Sequence, residues 1–293
     1  MAKTRELRRR IKSVENTRQI TKTMEMVATS RLKRAQDRVV GARPYAQALA
    51  DLLASLYAPD LADRFPLLRQ PASEGQRVGL VFVTSNRGLC GGFNANLIRM
   101  AAARLAEHRA AGRDVELYGI GRKGIGYFRY IGQPLAGARG DIGDRPTAEH
   151  AVEVVTPLME RFAAGELDRV EVVYAKFNNP LSTPPTLLPV LPIEPAAPVA
   201  GSDRGTVPNY LLRPSAVEIL EAVLPMYVQN QMYRALVETA ASEHGARRTA
   251  MKSATDNAGD MIDRLRRTYN RARQAQITQE LAEIVGGAEA LRG

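Results

Sequence analysis

Apolar residues near the N-terminus recur with the spacing of a coiled-coil seam, the line of side chains that one helix presents to another. Residues 4–40 contain neither proline nor glycine. Their apolar positions form three groups with steps of four and three: Leu7, Ile11 and Val14, then Ile20, Met24 and Val27, then Leu32, Ala35 and Val39. This spacing predicts a long helix packed against another helix. The seam falters around Arg18 and Thr21 and is expected to resume out of phase, and Gly41 and Pro44 are expected to bend or end the helix.

The middle of the chain alternates between strand and helix patterns. Apolar and β-branched runs predict buried strands at 77–85, 114–120 and 168–177. Helical stretches lie between them, the clearest at 94–111 and 147–165. This alternation predicts a mostly parallel sheet with helices on its faces. The following segment, PTLLPVLPIEP, is restricted to an edge strand or an extended stretch, because proline has no N–H to give to a central ladder.

The C-terminal part of the chain has no proline after Pro225 and predicts one helix over residues 226–285. Its length is about 90 Å at 1.5 Å per residue, whereas a domain of the size of the central part is about 30–40 Å across. Because a lone helix gains most of its stability from packing, the N-terminal helix is its expected antiparallel partner. The seam predicted on this helix consists of Val237, Ala241, Met251, Ala258, Ile262, Leu265 and Tyr269. Pro225 is expected to mark the start of the helix or a bend in it.

Positive charge is concentrated at the N-terminal end. The formal net charge of the chain is +10, and residues 1–45 hold 13 Lys/Arg against 4 Asp/Glu, a net +9. A charge block on one helix predicts an acidic partner, which could be nucleic acid, anionic lipid or an acidic protein surface. A basic nucleic-acid-binding coiled coil is therefore one hypothesis for the function. Aromatic residues are not interleaved with these charges, which weakens that hypothesis.

Composition excludes several other classes. An apolar fraction of 45% supports a packed core. The sequence has no apolar run of 18 residues, so no transmembrane helix is expected, and MAKTRELRRRIKS lacks the apolar segment of a secretory signal. Cys90 is the only cysteine, which excludes an intramolecular disulfide. The three scattered histidines do not predict a metal site; they are His108, His150 and His244.

Two glycine-rich stretches resemble phosphate-binding loops. GIGRKG (119–124) matches G-x-G-x-x-G after a predicted strand, and Asp141 follows Gly119 by 22 residues, so a nicotinamide-dependent enzyme is a further hypothesis. The motif follows the second strand rather than the first, however, which favours a tight turn with close helix packing. SNRGLCGGFN (85–94) lacks the Gly-Lys-Ser/Thr of a P-loop, so direct nucleotide binding is not expected.

Three longer blocks carry a family resemblance. IKSVENTRQITKTMEMVATSRLKRAQDR (11–38), TSNRGLCGGFNANL (84–97) and ATDNAGDMIDRLRRTYNRARQAQITQELAEIVGGAEAL (254–291) closely resemble the gamma subunit of F-type ATP synthases. The blocks occur in the order and at the spacing of that family, and the resemblance covers essentially the whole chain. The implied fold class is α/β, with a long antiparallel coiled coil of the N- and C-terminal helices plus a Rossmann-like α/β domain. The implied domains are 1–58, 77–208 and 209–293.

The resemblance implies a central rotating shaft that performs no bond chemistry and holds no cofactor. Its implied partners are three alpha and three beta subunits around one gamma, the epsilon subunit, and the c-subunit ring of the membrane. The terminal helices would lie inside the hexamer and the α/β domain would form a foot on the ring. The implied location is peripheral, on the cytoplasmic face of the bacterial inner membrane.

Subunit contacts are implied for particular positions. Met24 matches the part of the first helix that faces acidic loops of beta. The C-terminal residues implied to interact with the first helix or with beta are Arg247, Arg273, Gln274, Thr278 and Glu280. Tyr45 and Tyr210 lie in segments similar to those near epsilon and the ring. Within the implied shaft, the thin apolar stripe near Ile277, Leu281 and Ile284 would suit a tip held in an apolar sleeve, which is a further hypothesis.

Overall fold

Two long helices flank a series of short alternating strands and helices. The structure, a computed structural model, describes residues 2–56, 64–70, 76–193 and 215–290. The described elements, in chain order, are α1 (Ala2–Leu56), a 3₁₀ turn (Pro66–Leu68), β1 (Arg77–Val83), α2 (Phe93–Ala110), β2 (Asp114–Ile120), α3 (Arg122–Tyr130), β3 (Gly137–Arg139), α4 (Ala148–Ala163), β4 (Arg169–Ala175), β5 (Pro185–Leu191) and α5 (Ala216–Ala290). They form two compact units, Met1–Thr29 with Arg247–Gly293 and Ser30–Ala246.

A mostly parallel sheet organises the unit Ser30–Ala246. Among the described residues the sheet has five strands in the order β3-β2-β1-β4-β5. The first four strands of this order pair in parallel, and β5 pairs with β4 in the antiparallel direction. The three strands predicted from apolar runs are confirmed, and β5 is the proline-containing edge strand. The sequence pattern did not predict β3, which is only three residues long and has no apolar run.

Apolar clusters cover both faces of the sheet. Along β1, Val81 and Val83 face one cluster and Leu80 and Phe82 face the other, as the alternation of side chains in a strand requires. The second cluster packs α2 and α3 on the sheet, and the first packs α4. The first cluster also takes in parts of α1 and α5 that belong to this unit, through Leu53, Leu56, Leu220, Leu224 and Val228. The sheet therefore anchors one stretch of each long helix.

Helix α1 continues through Gly41 and Pro44, so these residues do not end it; a bend there, the other expected outcome, stays a prediction. A proline inside a helix costs about 3 kcal/mol, because it removes one hydrogen bond and crowds the preceding turn. After the proline, Leu49, Leu53 and Leu56 are buried. Burial of a leucine side chain contributes about 1.5–3 kcal/mol, so the packing of these three residues offsets the cost.

Helix α5 also continues through its proline. It begins at Ala216, so the helix does not start at Pro225; the alternative expectation, a bend at this proline, stays a prediction. Leu220, Leu224 and Val228, which flank the proline, are at most 2% exposed. Apolar packing again outweighs a local helix-breaking residue, as it did in α1. Local sequence signals therefore misplace one end of each long helix, the C-terminal end of α1 and the N-terminal end of α5.

The turn between β2 and α3 requires glycine. Gly121 has φ +93°, and a Cβ placed there would overlap the carbonyl oxygen of Thr84. A Cβ on Gly124 would lie 2.5 Å from the ring of Phe82. The spacing of the glycine motif therefore serves the close approach of α3 to β1.

A buried ionic cluster lies on the α2 side of the sheet. Glu171 of β4 is 1% exposed and accepts two hydrogen bonds from Arg104, each 2.7 Å. The Nε2 of His108 is 3.0 Å from the same carboxylate, and its Nδ1 faces a guanidinium nitrogen of Arg113 at 3.1 Å. Because arginine can only donate, Nδ1 accepts and Nε2–H donates to Glu171. Burial alone would raise the pKa of Glu171, but the hydrogen bonds from Arg104 and His108 lower it overall.

We expect Gly121→Ala to lower the free energy of unfolding of the chain by about 2 kcal/mol or more, since the residue needs positive φ and has no room for a methyl group. Gly126→Ala, in the helix α3 that follows Gly121, is the control, because no atom lies within 4 Å of a Cβ there. The control should be neutral or stabilising by up to about 1 kcal/mol. Urea denaturation followed by circular dichroism measures both. Equal stabilities of the two variants would contradict the packing role of Gly121.

We expect Glu171→Gln to destabilise the chain by about 3 kcal/mol at pH 7, because it leaves Arg104 without its buried partner. The pKa of Glu171 is lowered on folding, so its contribution is present above the ordinary glutamate pKa of about 4.3 and is lost as the pH falls through the folded value. The stability gap between wild type and variant should therefore shrink in acid. Denaturation curves from pH 7 down to pH 3 measure it. A gap that stays constant would show that the charge of Glu171 is not what stabilises the fold.

Candidate subunit interface

Helices α1 and α5 form an antiparallel pair in the unit Met1–Thr29 with Arg247–Gly293. Side-chain hydrogen bonds between described residues join them: Thr4 donates to Gln276 (3.1 Å), Arg266 donates to Glu15 (2.7 Å) and Thr255 donates to Thr21 (2.8 Å). Residue numbers rise along α1 as they fall along α5, which confirms the antiparallel coiled coil. In this unit the predicted seam of α5 is buried at Met251, Ala258 and Ile262 and half-buried at Leu265 and Tyr269. In the unit Ser30–Ala246, Val237 and Ala241 of the predicted seam are buried in a cluster with Leu32, Ala35 and Val39.

The seam of α1 keeps one phase, so the predicted phase shift is wrong. Thr21 is half-buried and bonded to Thr255, the side chain of Arg18 lies about 3.7–4.0 Å from the place of a Cβ on Gly259, and Ala28 is 1% exposed. Arg18 lies opposite Gly259, and Thr21 lies opposite Thr255. These polar side chains therefore fill seam positions at which the sequence pattern predicted an interruption. Steps of four and three then run unbroken through positions 14, 18, 21, 25 and 28.

A second apolar stripe lies outside the seam. Ile20 is 59% exposed and Val27 is 48% exposed, and Met24 between them is half-buried. These three residues, called the outer stripe below, are separated by steps of four and three and so share one side of α1. Met26 and Met261 are also more than half exposed. Apolar side chains spaced along one side of a helix form a surface that a further protein can cover.

Most of the implied C-terminal contact residues lie on the surface of α5. Arg273, Gln274, Thr278 and Glu280 are exposed, whereas Arg247 is 9% exposed. The Thr278 hydroxyl donates to the Gln274 carbonyl at 3.0 Å, and Glu280 accepts from Gln276 at 2.8 Å. Arg247 and Glu280 are about 50 Å apart along the helix. The structure therefore distributes these residues along one helix instead of gathering them into a pocket.

The last described turns of α5 expose a run of apolar side chains. Ile277, Leu281, Ile284 and Val285 are 48%, 57%, 67% and 65% exposed. They recur at steps that keep them on one side of the helix. This side is open to a partner.

The two tyrosines fall in different parts of the chain. Tyr45 is 53% exposed and lines a groove of about 630 Å³ in the unit Ser30–Ala246, together with Val152, Met226 and Tyr233. Tyr210 lies outside the described residues. A shallow groove with aromatic and apolar walls suits the side chain of another protein.

The glycine motif is not arranged as a dinucleotide site. The backbone amides at the start of α3 already donate to protein atoms: Arg122 to Asn86 (2.9 Å), Lys123 to Ser85 (3.1 Å) and Gly124 to Thr84 (3.0 Å). A bound phosphate would need these donors. Asp141, the residue matched to a ribose contact, instead accepts two hydrogen bonds from Arg139 at 2.8 and 2.7 Å.

The described part of the chain offers neither a membrane-spanning helix nor a metal-binding cluster. Among the described residues, none of the helices combines the length and the apolar character that a membrane span requires. The same residues contain no group of three or more His, Cys, Asp or Glu side chains that could hold a metal ion.

Sequence reasoning missed a buried polar face on α5. Glu238, Thr239, Ser242 and His244 are all at most 5% exposed. The sequence feature that marks this face is the loss of the apolar repeat after Ala241, where polar and small residues follow. Such a segment is ordinarily interpreted as a solvated face, so partners for these side chains could be found only from the structure.

Comparison with known proteins gives one consistent family. A family model described as ATP synthase matches residues 3–291. The chain is 58% identical over its full length to an ATP synthase gamma chain of Gemmatimonas aurantiaca, of which it covers 100%. It is 46% identical to an ATP synthase gamma chain of Desulfitobacterium hafniense, with 99% of this chain and 100% of the relative aligned.

Solved structures with a similar fold come from mitochondrial ATP synthases. A chain of the Euglena gracilis enzyme aligns with 99% of this chain and 95% of its own length, at a TM-score of 0.67 and 19% identity. A chain in the central stalk and c-ring structure from Tetrahymena thermophila aligns with 80% of this chain and 99% of its own length, at a TM-score of 0.59 and 23% identity. The α/β domain and the long terminal helices thus form a known fold.

We expect Ile262→Ala to lower the free energy of unfolding of the helix pair by about 2–4 kcal/mol, because Ile262 is 3% exposed in the seam. The neighbouring Met261→Ala removes an apolar side chain that is 53% exposed and should change it by about 0.5 kcal/mol or less. Thermal unfolding followed by helical circular dichroism compares them. Similar losses in both variants would show that the seam does not have the phase described.

Proposed function

The chain belongs to the family of ATP synthase gamma chains, and we propose that it is the central rotating shaft of an F-type ATP synthase. In this role it couples proton flow through a membrane ring of c subunits to ATP synthesis or hydrolysis at the beta subunits. The observation that carries the proposal is the identity of 58% over the full length to a gamma chain. The antiparallel pair of α1 and α5, with its exposed outer stripe, is the structural feature that agrees with it.

The surface of the helix pair suits a rod that turns inside a ring. A shaft that passes three equivalent surfaces must not bind any one of them deeply, because a deep contact would trap one angle. Only parts of Ile20 and Val27 are exposed, so contacts to the outer stripe would be shallow. An exposed ion pair contributes about 1 kcal/mol or less, so the basic side chains of α1 attract acidic loops of beta without holding one orientation.

The burial of the implied contact residues divides their roles. We assign the exposed Arg273, Gln274, Thr278 and Glu280 to contacts with the hexamer, and Met24 to the side of α1 that faces beta. Arg247 is 9% exposed, which supports a role in holding α5 in place rather than in touching beta. The tip formed by Ile277, Leu281 and Ile284 would lie in an apolar sleeve of the hexamer. Bond making and breaking would occur at the beta subunits, with this chain as a non-catalytic member.

The remaining surface belongs to the foot. We place Tyr45 and Tyr210 near epsilon and the c ring, and we take 77–208 as the extent of the foot domain between the helical segments 1–58 and 209–293. The groove beside Tyr45 supports contact with another subunit there. The complex would lie on the cytoplasmic face of a bacterial inner membrane, with this chain peripheral to the bilayer.

The native mass of the complex tests the proposed function directly. The chain is tagged in its host, released gently from membranes and weighed by native mass spectrometry. One copy with three alpha and three beta subunits is the expected composition. A free monomer would overturn the proposal, and co-purified nucleic acid whose binding falls steeply with salt would support the nucleic-acid-binding hypothesis instead.

We expect a triple substitution of Ile277, Leu281 and Ile284 to serine to weaken assembly with alpha and beta while leaving the stability of the free chain nearly unchanged. The reason is that these side chains are largely exposed in the chain alone and would lose apolar contact only in the complex. The measurement is the fraction of tagged chain that retains alpha and beta after dilution. Leu181→Ser, which removes an 85% exposed apolar residue outside the helix pair, is the control. Tighter assembly of the triple variant would count against the apolar sleeve.

A further inference from the structure

Polar contacts decide how the α/β body, defined as β1–β5 with α2–α4, holds the two long helices. Within the unit Ser30–Ala246, apolar side chains of α1 and α5 pack on the sheet. The hydrophobic effect has no preferred direction, so this packing keeps the helices attached but tolerates small rotations. Hydrogen bonds and ion pairs depend on distance and angle and therefore fix a register.

Helix α5 is fixed to the end of β4 by its buried polar face. The Thr239 hydroxyl oxygen accepts from the backbone N–H of Ala175 at 3.2 Å, and the Glu238 carboxylate accepts from the N–H of Phe177 at 3.1 Å. The Ser242 hydroxyl donates to the Ala175 carbonyl at 3.2 Å. Three directional bonds thus hold α5 against one strand end.

Asp144 joins the body to both long helices at once. It lies between β3 and α4, and its Oδ2 accepts a 2.6 Å hydrogen bond from a guanidinium nitrogen of Arg31 on α1. The same oxygen is 3.3 Å from Nε2 of His244 on α5. A single carboxylate oxygen, carried by the loop between β3 and α4, therefore contacts two helices that are far apart in sequence.

The surroundings of this carboxylate keep it charged. The side chains of Arg31, Asp144 and His244 are 39%, 31% and 3% exposed. Burial alone would raise the pKa of Asp144, but the neighbouring charges of His244 and Arg31 lower it overall. Charge-assisted hydrogen bonds are shorter and stronger than neutral ones, so the ion pair with Arg31 resists displacement more than a neutral contact would.

We propose that Asp144 is a positioning residue that couples rotation of the α/β body to both long helices, an inference that rests on the proposed function as a rotor shaft. A twist of the body against α1 moves Asp144 away from Arg31, and a twist against α5 moves it away from His244. Each movement breaks a contact of the same oxygen. The carboxylate thereby limits rotation of the body relative to the two helices.

Asp144→Asn and Asp141→Asn form a matched pair of variants. Asp141 accepts two hydrogen bonds from Arg139, which lies in β3, so its ion pair stays within the body and reaches neither long helix. Both substitutions remove one negative charge from the segment between β3 and α4. Only Asp144→Asn weakens a connection between the body and the helices.

Torsional stiffness in the assembled enzyme is the readout. The complete ATP synthase is fixed through its hexamer, and a probe is attached to the body at Leu181→Cys, an 85% exposed position; Cys90, at 2% exposed, is shielded from the label. The angular variance of the probe during pauses is measured, since variance rises as stiffness falls. Proton pumping per ATP hydrolysed is measured on the same preparations.

Asp144→Asn should increase the angular variance and lower the number of protons pumped per ATP, whereas Asp141→Asn should match wild type. Asp144→Glu, which keeps the charge, should recover part of the stiffness. If Asp144→Asn does not assemble, Arg31→Gln breaks the same ion pair from α1 and should show the same increase. A variance like that of wild type in either variant, or an equal rise in Asp141→Asn, overturns the proposal. Failure of the wild-type chain to assemble or rotate would instead refute the proposed function.

Discussion

The pairing of two long helices is the constraint on which the rest of the structure depends. A helix in a protein gains most of its stability from packing one face against a partner. Neither α1 nor α5 has a wide apolar face in the unit Met1–Thr29 with Arg247–Gly293, so each depends on the other for its narrow seam. The hydrogen bond between Thr21 and Thr255 and the placement of Arg18 beside Gly259 show how polar layers fit into that seam without shifting its phase.

The narrow seam of the helix pair bears on function because it leaves apolar side chains exposed. Apolar residues that the seam does not need remain on the surface, as Ile20, Val27 and Met261 do. In a protein that acted alone these side chains would favour aggregation. Under the proposed function, they would make shallow contacts that repeat at each of three equivalent positions of the hexamer. The same argument applies to the exposed apolar run at the end of α5, because a rotating tip needs contacts that do not hold it to one partner surface.

The parts of the structure that the sequence could predict are those where one local signal dominates. Strands β1, β2 and β4 follow from apolar runs, and the position of β5 at the edge follows from its prolines. The continuation of the long helices through Pro44 and Pro225 could not be predicted, because these prolines are tolerated only through burial of leucines that pack on a distant sheet. The seam phase failed for a related reason: a polar residue in a seam is acceptable only when the opposite residue is small, and the opposite residue is more than 200 positions away in sequence.

The polar residues at the junction between α5 and the α/β body lie beyond any local signal. Glu238, Thr239 and Ser242 look like solvated positions until the backbone of β4 is placed beside them. Buried polar groups are costly unless every partner is present, so they specify one register and reject neighbouring ones. Apolar side chains in their place would stabilise the packing of α5 by a similar amount, but they would fix its register against β4 less well. To transmit torque, a protein needs a fixed register between its helix and its body more than it needs a larger packing free energy. That requirement explains why polar side chains occupy a buried face that apolar residues could have filled.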